Sequence, residues 1–380
     1  MKQNLFVLTL VFSVLLMMNG CKKPKTDIVY NKKYVKEIKD ARKKVKFHMI
    51  QNFIPGANIA VSINGELVYS EGIGLASRDL DAPAGRNTKF RIGEVSTLYT
   101  NALYQKLVEE GKIYPDSSIQ HYIPTFPVKV EGKISLKMLA NEISGIQPPL
   151  DGGEMRLVNK SIEDGIQLFK DEALEMPPGM FQAQSCYNYN LLGVAMEKAT
   201  GKKYSQLLKE YVTDTLHMDN TVIDNPFAMI KGRSNFYEPN ILAQVVNTTF
   251  YDLRATAPSK GLLSNAEDLV KLGNACLSGD FFSEETRKNL FEPLILFNNN
   301  TSRMVNGWFV FKDPYGRTVY GLEGSVVGGS ASVIILPESK VVVAWACNLS
   351  TAINDTPVFL VANAFLGAPE GEQQHRSKLK

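Results

Sequence analysis

Few residues of this sequence could act as nucleophiles, and the spacing that would activate them is rare. A serine followed three residues later by a lysine places a hydroxyl and an amine on one helical face, where the amine can take the proton. That spacing occurs once, from Ser377 to Lys380, in the polar C-terminal tail. After Cys21, only Cys186, Cys276 and Cys347 follow, an odd and widely separated set that does not resemble a disulfide framework.

Metal and cofactor chemistry also lack their usual signatures. The sequence contains no His-Glu-x-x-His, no Cys-x-x-Cys and no glycine-rich phosphate loop leading into a helix. We therefore expect no metal site and no cofactor.

The N-terminus has the features of a secretion signal. Lys2 precedes an apolar run from Leu5 to Met18, which is the size of a signal-peptide core and short for a membrane span. The run ends at Gly20-Cys21, as in bacterial lipoprotein signals. We expect residues 1–20 to be removed and Cys21 to carry lipid, which predicts a membrane-anchored lipoprotein of the bacterial cell envelope. The alternative is a plain secretory signal with an incidental cysteine.

Charge is concentrated immediately after Cys21. Residues 22–46 carry eleven Lys or Arg against three acids, a net charge of +8, whereas the whole chain carries +3. Such a segment is attracted to anionic lipid headgroups, although a solvated tether and a polar helix face would have the same composition. The rest of the chain is acidic, which argues against a nucleic-acid partner.

Both ends of the folded region are predicted to contribute strands. Asn64-Gly65 separates two β-prone runs, Ala57 to Ile63 and Glu66 to Tyr69, which is a hairpin signal. Strands recur from Gly307 to Cys347, and Thr356 to Leu366 is apolar enough for a closing helix.

Helical periodicity dominates the segment between these strands. The pattern predicts an α+β fold: one antiparallel sheet flanked by helices, with a mainly helical insertion at about 112–260. We assign 21–46 to the anchor and lead-in helix, 47–366 to one domain and 367–380 to a polar tail. The predicted helices are Val95 to Glu110, Asn188 to Thr200, Tyr204 to Val212 and Ala266 to Leu277.

A series of short motifs resembles the serine hydrolases related to β-lactamases and penicillin-binding proteins, a group that includes class C β-lactamases, D-alanyl-D-alanine carboxypeptidases and esterases. The motifs occur in that family's order between about residues 50 and 350, and they imply its fold. They are Ile54-Pro55-Gly56, Asn64-Gly65, Phe90-Arg91-Ile92-Gly93, Leu107 to Lys112, Ser144-Gly145-Ile146, Pro178-Gly179, Leu191-Leu192-Gly193, Gly261-Leu262-Leu263-Ser264, and Tyr320-Gly321 with Gly324 and Gly328.

The resemblance also implies where catalytic residues should lie. The family's serine would follow Gly93 and its lysine would come three residues later, but this chain has Glu94 and Thr97 there. Backbone N–H groups near that helix start and on the third-motif strand would hold the oxyanion. Ser96 is a candidate nucleophile in a shifted frame, but it lies about 200° round the helix from position 94 and has Tyr99 in place of a lysine.

The other two motifs are altered as well. The tyrosine that would share the proton is replaced by Gln184, and Cys186 at the end of that motif is a candidate substitute nucleophile. The third motif reads Leu322-Glu323-Gly324, with an apolar residue in place of a polar one. Strand alternation is expected to direct Leu322 inward and Glu323 to the opposite face.

The sequence therefore predicts a member of this family without its catalytic residues. It would bind a cell-wall or peptide-like ligand, or a protein partner, in a cleft formed by Glu94, Thr97, Gln184, Cys186, Leu322 and Gly324. One alternative is an active hydrolase with a rearranged nucleophile, and another is a purely structural envelope protein with a collapsed cleft. Whether Lys260 reaches the cleft to replace the lost lysine is left open.

Overall fold

The computed structural model describes residues 27–148, 161–350 and 356–366. Fourteen strands lie within these residues: β1 Ile28–Tyr30, β2 Gly56–Ile63, β3 Glu66–Ser77, β4 Ala82–Pro83, β5 Phe90–Arg91, β6 Val222–Ile223, β7 Tyr237–Pro239, β8 Val245–Asn247, β9 Leu262–Ser264, β10 Met304–Val305, β11 Trp308–Lys312, β12 Thr318–Val326, β13 Gly329–Leu336 and β14 Val341–Cys347.

The same residues form ten α-helices. They are α1 Val35–Gln51, α2 Ser96–Glu109, α3 Ile119–Tyr122, α4 Leu136–Ala140, α5 Ile162–Ile166, α6 Cys186–Thr200, α7 Tyr204–Leu208, α8 Ala266–Leu277, α9 Glu284–Asn289 and α10 Val358–Leu366.

The main sheet joins the two ends of the described chain. Its strand order is β1-β3-β2-β14-β13-β12-β11-β10, and every pairing along it is antiparallel. The early hairpin β2–β3 lies against the late strand β14, so the segment between them is inserted into one continuous sheet. This confirms the predicted antiparallel sheet, and the insertion adds short strand pairs to its helices.

Each face of the sheet packs against a separate hydrophobic core. One core includes Ile38 and Val45 of α1 and Val361 of α10. The other, larger core includes Leu98 of α2 and Leu322 of β12. The sheet therefore separates the lead-in and closing helices from the helical region that contains the cleft.

The predicted helices are found with small changes at their ends. Ala266–Leu277 has the predicted bounds, and the Asn265 side chain caps it by accepting a hydrogen bond from the N–H of Asp268. The helix predicted to reach Val212 is α-helical only to Leu208, after which Lys209–Thr213 forms a π-helical turn.

Several predictions concern residues outside those that the structure describes. They are the signal at 1–20, the lipidated Cys21, the start of the basic tether, and the tail from 367 with its Ser377 to Lys380 spacing. Among the described residues, none of the helices combines the length and apolar character needed to cross a bilayer.

Candidate ligand-binding cleft

The turn that carries Glu94 lies in direct contact with strand β12. Gly93–Val95 forms a 3₁₀ turn between β5 and α2, and Gly93 adopts a positive φ of 52°. A Cβ atom on Gly324 would lie 2.5 Å from the Glu94 nitrogen, so only glycine permits this approach. The two glycines thereby bring position 94 against the third-motif strand.

The Glu94 carboxylate is held by two groups from distant parts of the chain. The N–H of Ser325 donates to Glu94 Oε2 at 2.8 Å, and Lys260 Nζ lies 3.3 Å from Glu94 Oε1. Lys260 therefore does reach the cleft, where it forms an ion pair with the residue at the nucleophile position.

Thr97 and Gln184 occupy the other two catalytic positions that the resemblance implies. Thr97 lies in the first turn of α2, and its hydroxyl donates to the Glu94 carbonyl at 2.8 Å. Gln184 is exposed, with its Nε2 3.9 Å from the sulfur of Met304. Both residues border the same cleft as Glu94, but neither supplies a basic group.

Strand β12 alternates as predicted. Leu322 is buried in the core that contains α2. Glu323 accepts a hydrogen bond from Thr356 Oγ1 at 2.7 Å, just before the closing helix α10. Leu322 and Glu323 therefore point to opposite faces of the sheet, and Glu323 also borders the cleft.

Glu142 is a buried acid of the cleft that the sequence analysis did not identify. It follows the short helix α4, where its N–H donates to the Leu139 carbonyl and the N–H of Ile143 donates to the Met138 carbonyl. These bonds form a Schellman motif, whose left-handed position normally carries glycine or asparagine. Glu142 adopts that conformation with a φ of 58°, and such strain is concentrated at functional sites.

Burial raises the pKa of the Glu142 carboxyl from its ordinary 4.5 to about 8. Hydrogen bonds from the Ser185 N–H, at 2.9 Å, and from the Asn188 amide lower the pKa in part. The charge of Glu94 raises it, and the charge of Lys260 lowers it. Glu142 is therefore largely protonated at neutral pH and is electrostatically coupled to the Glu94–Lys260 pair.

The two candidate substitute nucleophiles have different surroundings. Ser96 is fully buried, and its Oγ accepts a hydrogen bond from the Leu262 N–H at 3.2 Å. Cys186 is a buried cysteine outside any disulfide, lies at the start of α6 and borders the cleft. Tyr189 of α6 is fully buried and donates to the Ala140 carbonyl at 3.0 Å.

The cleft has a volume of about 570 Å³. The Glu94 turn, the start of α6, the loop before β9 and the third-motif strand all border it. Arg303 adds a second basic side chain to the Lys260 side chain already described. Across the described ranges 27–148, 161–350 and 356–366, no cluster of three or more His, Cys, Asp or Glu side chains is placed to hold a metal ion.

Glu142 had a sequence signal. Ser144-Gly145 resembles a family segment that begins with a histidine two residues before its serine. In this chain the corresponding position is Glu142. Its strained backbone and its burial depend on tertiary contacts, which the sequence does not display. No spacing rule would have identified Arg303, which belongs to none of the recognised motifs.

Comparison with known proteins supports the resemblance on which these positions depend. A family model described as beta-lactamase matches residues 39–358. The chain is 26% identical to the mouse serine beta-lactamase-like protein LACTB, mitochondrial, over 80% of this chain and 75% of the relative. It is 23% identical to protein flp of Staphylococcus aureus strain MW2, over 81% of this chain and 62% of flp.

Solved structures share the fold at lower identity. The octameric penicillin-binding protein homologue from Pyrococcus abyssi aligns with a TM-score of 0.73 and 22% identity, over 86% of this chain and 75% of that one. FmtA from Staphylococcus aureus aligns with a TM-score of 0.73 and 21% identity, over 93% and 95%. A class C beta-lactamase aligns with a TM-score of 0.72 and 19% identity, over 90% and 98%.

Proposed function

This chain belongs to the β-lactamase family, and from that premise we propose that it uses the family's cleft to bind a ligand without hydrolysing it. The ligand would be a cell-wall or peptide-like molecule, or a segment of a protein partner. The protein would be held in the bacterial cell envelope by lipid on Cys21.

The observation that carries the proposal is the position of the Glu94 carboxylate. Hydrolysis by this family's chemistry needs backbone N–H groups free to receive the oxyanion that forms in the transition state. Here the Ser325 N–H already donates to Glu94 Oε2 at 2.8 Å. A negative carboxylate at that N–H opposes a second negative oxygen, so the residue at the nucleophile position itself blocks the chemistry.

Of the residues that the structure describes, neither Thr97 nor Lys260 is placed to take a proton from a nucleophile. The Thr97 hydroxyl is not a base at neutral pH, and it donates to the Glu94 carbonyl. Lys260 Nζ lies 3.3 Å from Glu94 Oε1, so it is paired with a carboxylate at the position where the family has its nucleophile. The lysine therefore neutralises Glu94 instead of activating a hydroxyl.

The cleft is nevertheless open, which favours ligand binding over a purely structural role. Its volume of about 570 Å³ lies within the range of roughly 300 to 1,000 Å³ typical of ligand sites. Strand β11 pairs with β12 only as far as Gly321, so the backbone after that residue borders the cleft. An extended peptide could add to this edge as a strand, beside the basic Lys260 and Arg303.

A hydrolase that uses Cys186 is the second candidate. Cys186 is the first residue of α6 and borders the cleft, and a helix N-terminus favours the reactive thiolate. Ser96 is a weaker candidate because it is buried and its Oγ is engaged by the Leu262 N–H.

Intact-mass analysis after incubation with a penicillin, a fluorophosphonate and iodoacetamide tests both candidates. We expect no adduct with the first two reagents, while a purified class C β-lactamase serves as the reactive control. A stoichiometric penicillin or fluorophosphonate adduct would refute the binding proposal. Loss of such an adduct in Cys186→Ala would identify the thiol as the nucleophile.

Thermal unfolding with a stem peptide ending in D-Ala-D-Ala tests ligand binding. A ligand at a hundred times its Kd stabilises the folded state by about 2.7 kcal/mol. We expect this gain to be lost in Lys260→Met and kept in Lys198→Met, which removes an exposed lysine of α6 paired with Glu163. Equal gains in the two variants would place the ligand elsewhere.

The anchor is tested separately. Metabolic labelling with radioactive palmitate should mark the wild-type protein and leave Cys21→Ala unlabelled. Labelling of both proteins would contradict lipidation at Cys21.

A further inference from the structure

A group of exposed apolar side chains lies on the side of the protein that carries α1. At the end of α1, Phe47, Ile50 and Phe53 are 61%, 74% and 70% exposed. At the tip of the β7–β8 hairpin, Ile241 is fully exposed and Leu242 is 72% exposed. Exposed apolar groups of this size, clustered together, mark interaction surfaces.

The helix end and the hairpin form one continuous surface. Lys46, Ile50 and Phe53 line the same groove as Ala243 to Val246 of the hairpin. Arg78 joins the two sides, because its Nη1 donates to the Val245 carbonyl at 3.1 Å.

The outward face of α1 is strongly basic. At 100° per residue, Lys36, Lys39, Lys43 and Lys46 lie on the side of the helix opposite the buried residues, and all four are exposed. The helix carries six basic residues against two acids, a net charge of +4. We call these four lysines, together with Phe47, Ile50, Phe53, Ile241 and Leu242, the docking face.

We propose that the docking face rests on an anionic lipid bilayer. Apolar side chains at the ends of two elements, beside a row of lysines, suit insertion at the boundary between headgroups and acyl chains. The lysines complement the negative charge of anionic headgroups. A protein partner would need an acidic rim around an apolar centre, whereas a bilayer offers both features at any position.

The path of the chain supports a bilayer as the occupant. Ile28 pairs with Glu71 of β3, and Gly74 of the same strand lines the groove. Three strand positions separate Glu71 from Gly74, a distance of roughly 10 Å. The described chain therefore begins close to the docking face. The six residues back from Asp27 to Cys21 span at most about 20 Å, so lipid on Cys21 would enter the same bilayer.

Docking in this way would leave the cleft open to solvent. Helix α1 packs on one face of the sheet through its residues Ile38 and Val45. Leu322, which borders the cleft, packs on the opposite face. The Glu94 side of the cleft would therefore lie across the sheet from the bilayer, although the cleft also reaches Phe359 of α10, which packs against the core that contains α1.

Vesicle co-sedimentation of the unacylated chain starting at Lys22, which retains every described residue, tests the proposal without the anchor or a cleft ligand. Vesicles of phosphatidylcholine mixed with phosphatidylglycerol should bind the protein, and pure phosphatidylcholine should bind it weakly. Each lysine near an anionic surface contributes about fivefold to partitioning. Changing Lys36, Lys39, Lys43 and Lys46 to Gln should therefore weaken binding about 25-fold if two of them contact the surface and about 600-fold if all four do.

A charge-matched control distinguishes the face from net charge. Changing Lys198, Lys202, Lys203 and Lys209 to Gln removes the same charge from the α6–α7 region, and we expect less than about a twofold loss. The combined changes Phe47→Ser, Ile50→Ser, Ile241→Ser and Leu242→Ser should weaken binding as strongly as the lysine changes.

Three results would overturn the proposal. The first is that the protein does not bind the mixed vesicles. The second is that the two lysine variants lose binding equally. The third is that the wild type does not bind vesicles but self-associates, and that the serine changes abolish this self-association. The last result would identify the face as a contact between copies of this chain.

Discussion

Replacing Glu142 with glutamine should make the protein more stable at neutral and alkaline pH. Burial raises the pKa of this carboxyl from 4.5 to about 8, so the folded state holds a proton that the unfolded chain releases. Between these two values stability falls as pH rises, because the folded state binds more protons than the unfolded state. Glutamine stays neutral and can still accept the hydrogen bond from the Ser185 N–H.

The expected gain in the free energy of unfolding of Glu142→Gln follows from the two pKa values of the Glu142 carboxyl, one in the unfolded and one in the folded state. At about 1.4 kcal/mol per pH unit, the interval from 4.5 to about 8 corresponds to an upper limit of roughly 5 kcal/mol. Below about pH 4.5 the carboxyl is protonated in both the folded and the unfolded state. The ionisation of residue 142 should then contribute little to any difference in the free energy of unfolding between the wild type and Glu142→Gln. Above about pH 8 the full difference should be present.

Urea unfolding of the two proteins between about pH 5 and pH 9 measures this difference, since the titration of other groups cancels in the comparison. The advantage of Glu142→Gln should grow with pH. Glu94→Gln should lower the pKa of Glu142 and end the fall in stability at a lower pH, whereas Lys260→Met should raise that pKa and extend the fall to higher pH. A pH-independent difference, or an advantage that shrinks as pH rises, would refute the account of Glu142 as a buried acid.

Three further substitutions test the framework around the cleft by urea unfolding at neutral pH. Arg91→Met should cost about 3–5 kcal/mol because it leaves the buried Asp224 carboxylate, 2.7 Å from Arg91 Nε, without its main partner; adding Asp224→Leu should recover much of the loss. Gly324→Ala should cost at least about 1–3 kcal/mol, since its Cβ would lie 2.5 Å from the Glu94 nitrogen; a neutral result would contradict the close approach. Asn265→Ala should cost at least about 1 kcal/mol, because it removes the cap of α8 and the 2.7 Å hydrogen bond from Asn265 Nδ2 to the Arg86 carbonyl; Asn265→Asp keeps the cap but cannot donate that second bond, so it should not restore the stability.

The hairpin and the helices with regular apolar spacing were predictable because their signals are local. Asn64-Gly65 forms the turn between β2 and β3, and Asn64 adopts the positive φ of 53° that such a turn requires. The cap at Asn265 and the bounds of Ala266–Leu277 follow from capping chemistry and helical periodicity.

The length of β3 was not predictable in the same way. The sequence suggested a strand ending at Tyr69, but β3 continues to Ser77. Its later residues pair with β2 on one side and β1 on the other. Gly72 permits the continuation, because a Cβ there would lie 2.4 Å from the Gly85 backbone. Tertiary pairing therefore overrides the weak local strand preference of this segment.

The candidate site was predictable as a set of positions but not as a set of interactions. The resemblance identified position 94, and strand alternation placed Leu322 inward. Neither could show that Lys260 would lie 3.3 Å from the Glu94 carboxylate, because the two residues are brought together only by the fold. Glu142 was missed because it stands where the family has a histidine and the motif was recognised by its serine and glycine.

The contacts of Glu94 differ from those expected of a cleft that has only lost its catalytic residues. A site that only loses its nucleophile and base would leave backbone N–H groups facing an empty pocket, and such unpaired groups are costly when buried. Here Glu94 accepts the Ser325 N–H and is paired with a lysine, while the cleft keeps a volume of about 570 Å³. Charges that are partly removed from water are costly unless paired, and their pairing around an open pocket supports the proposal that the pocket binds a ligand.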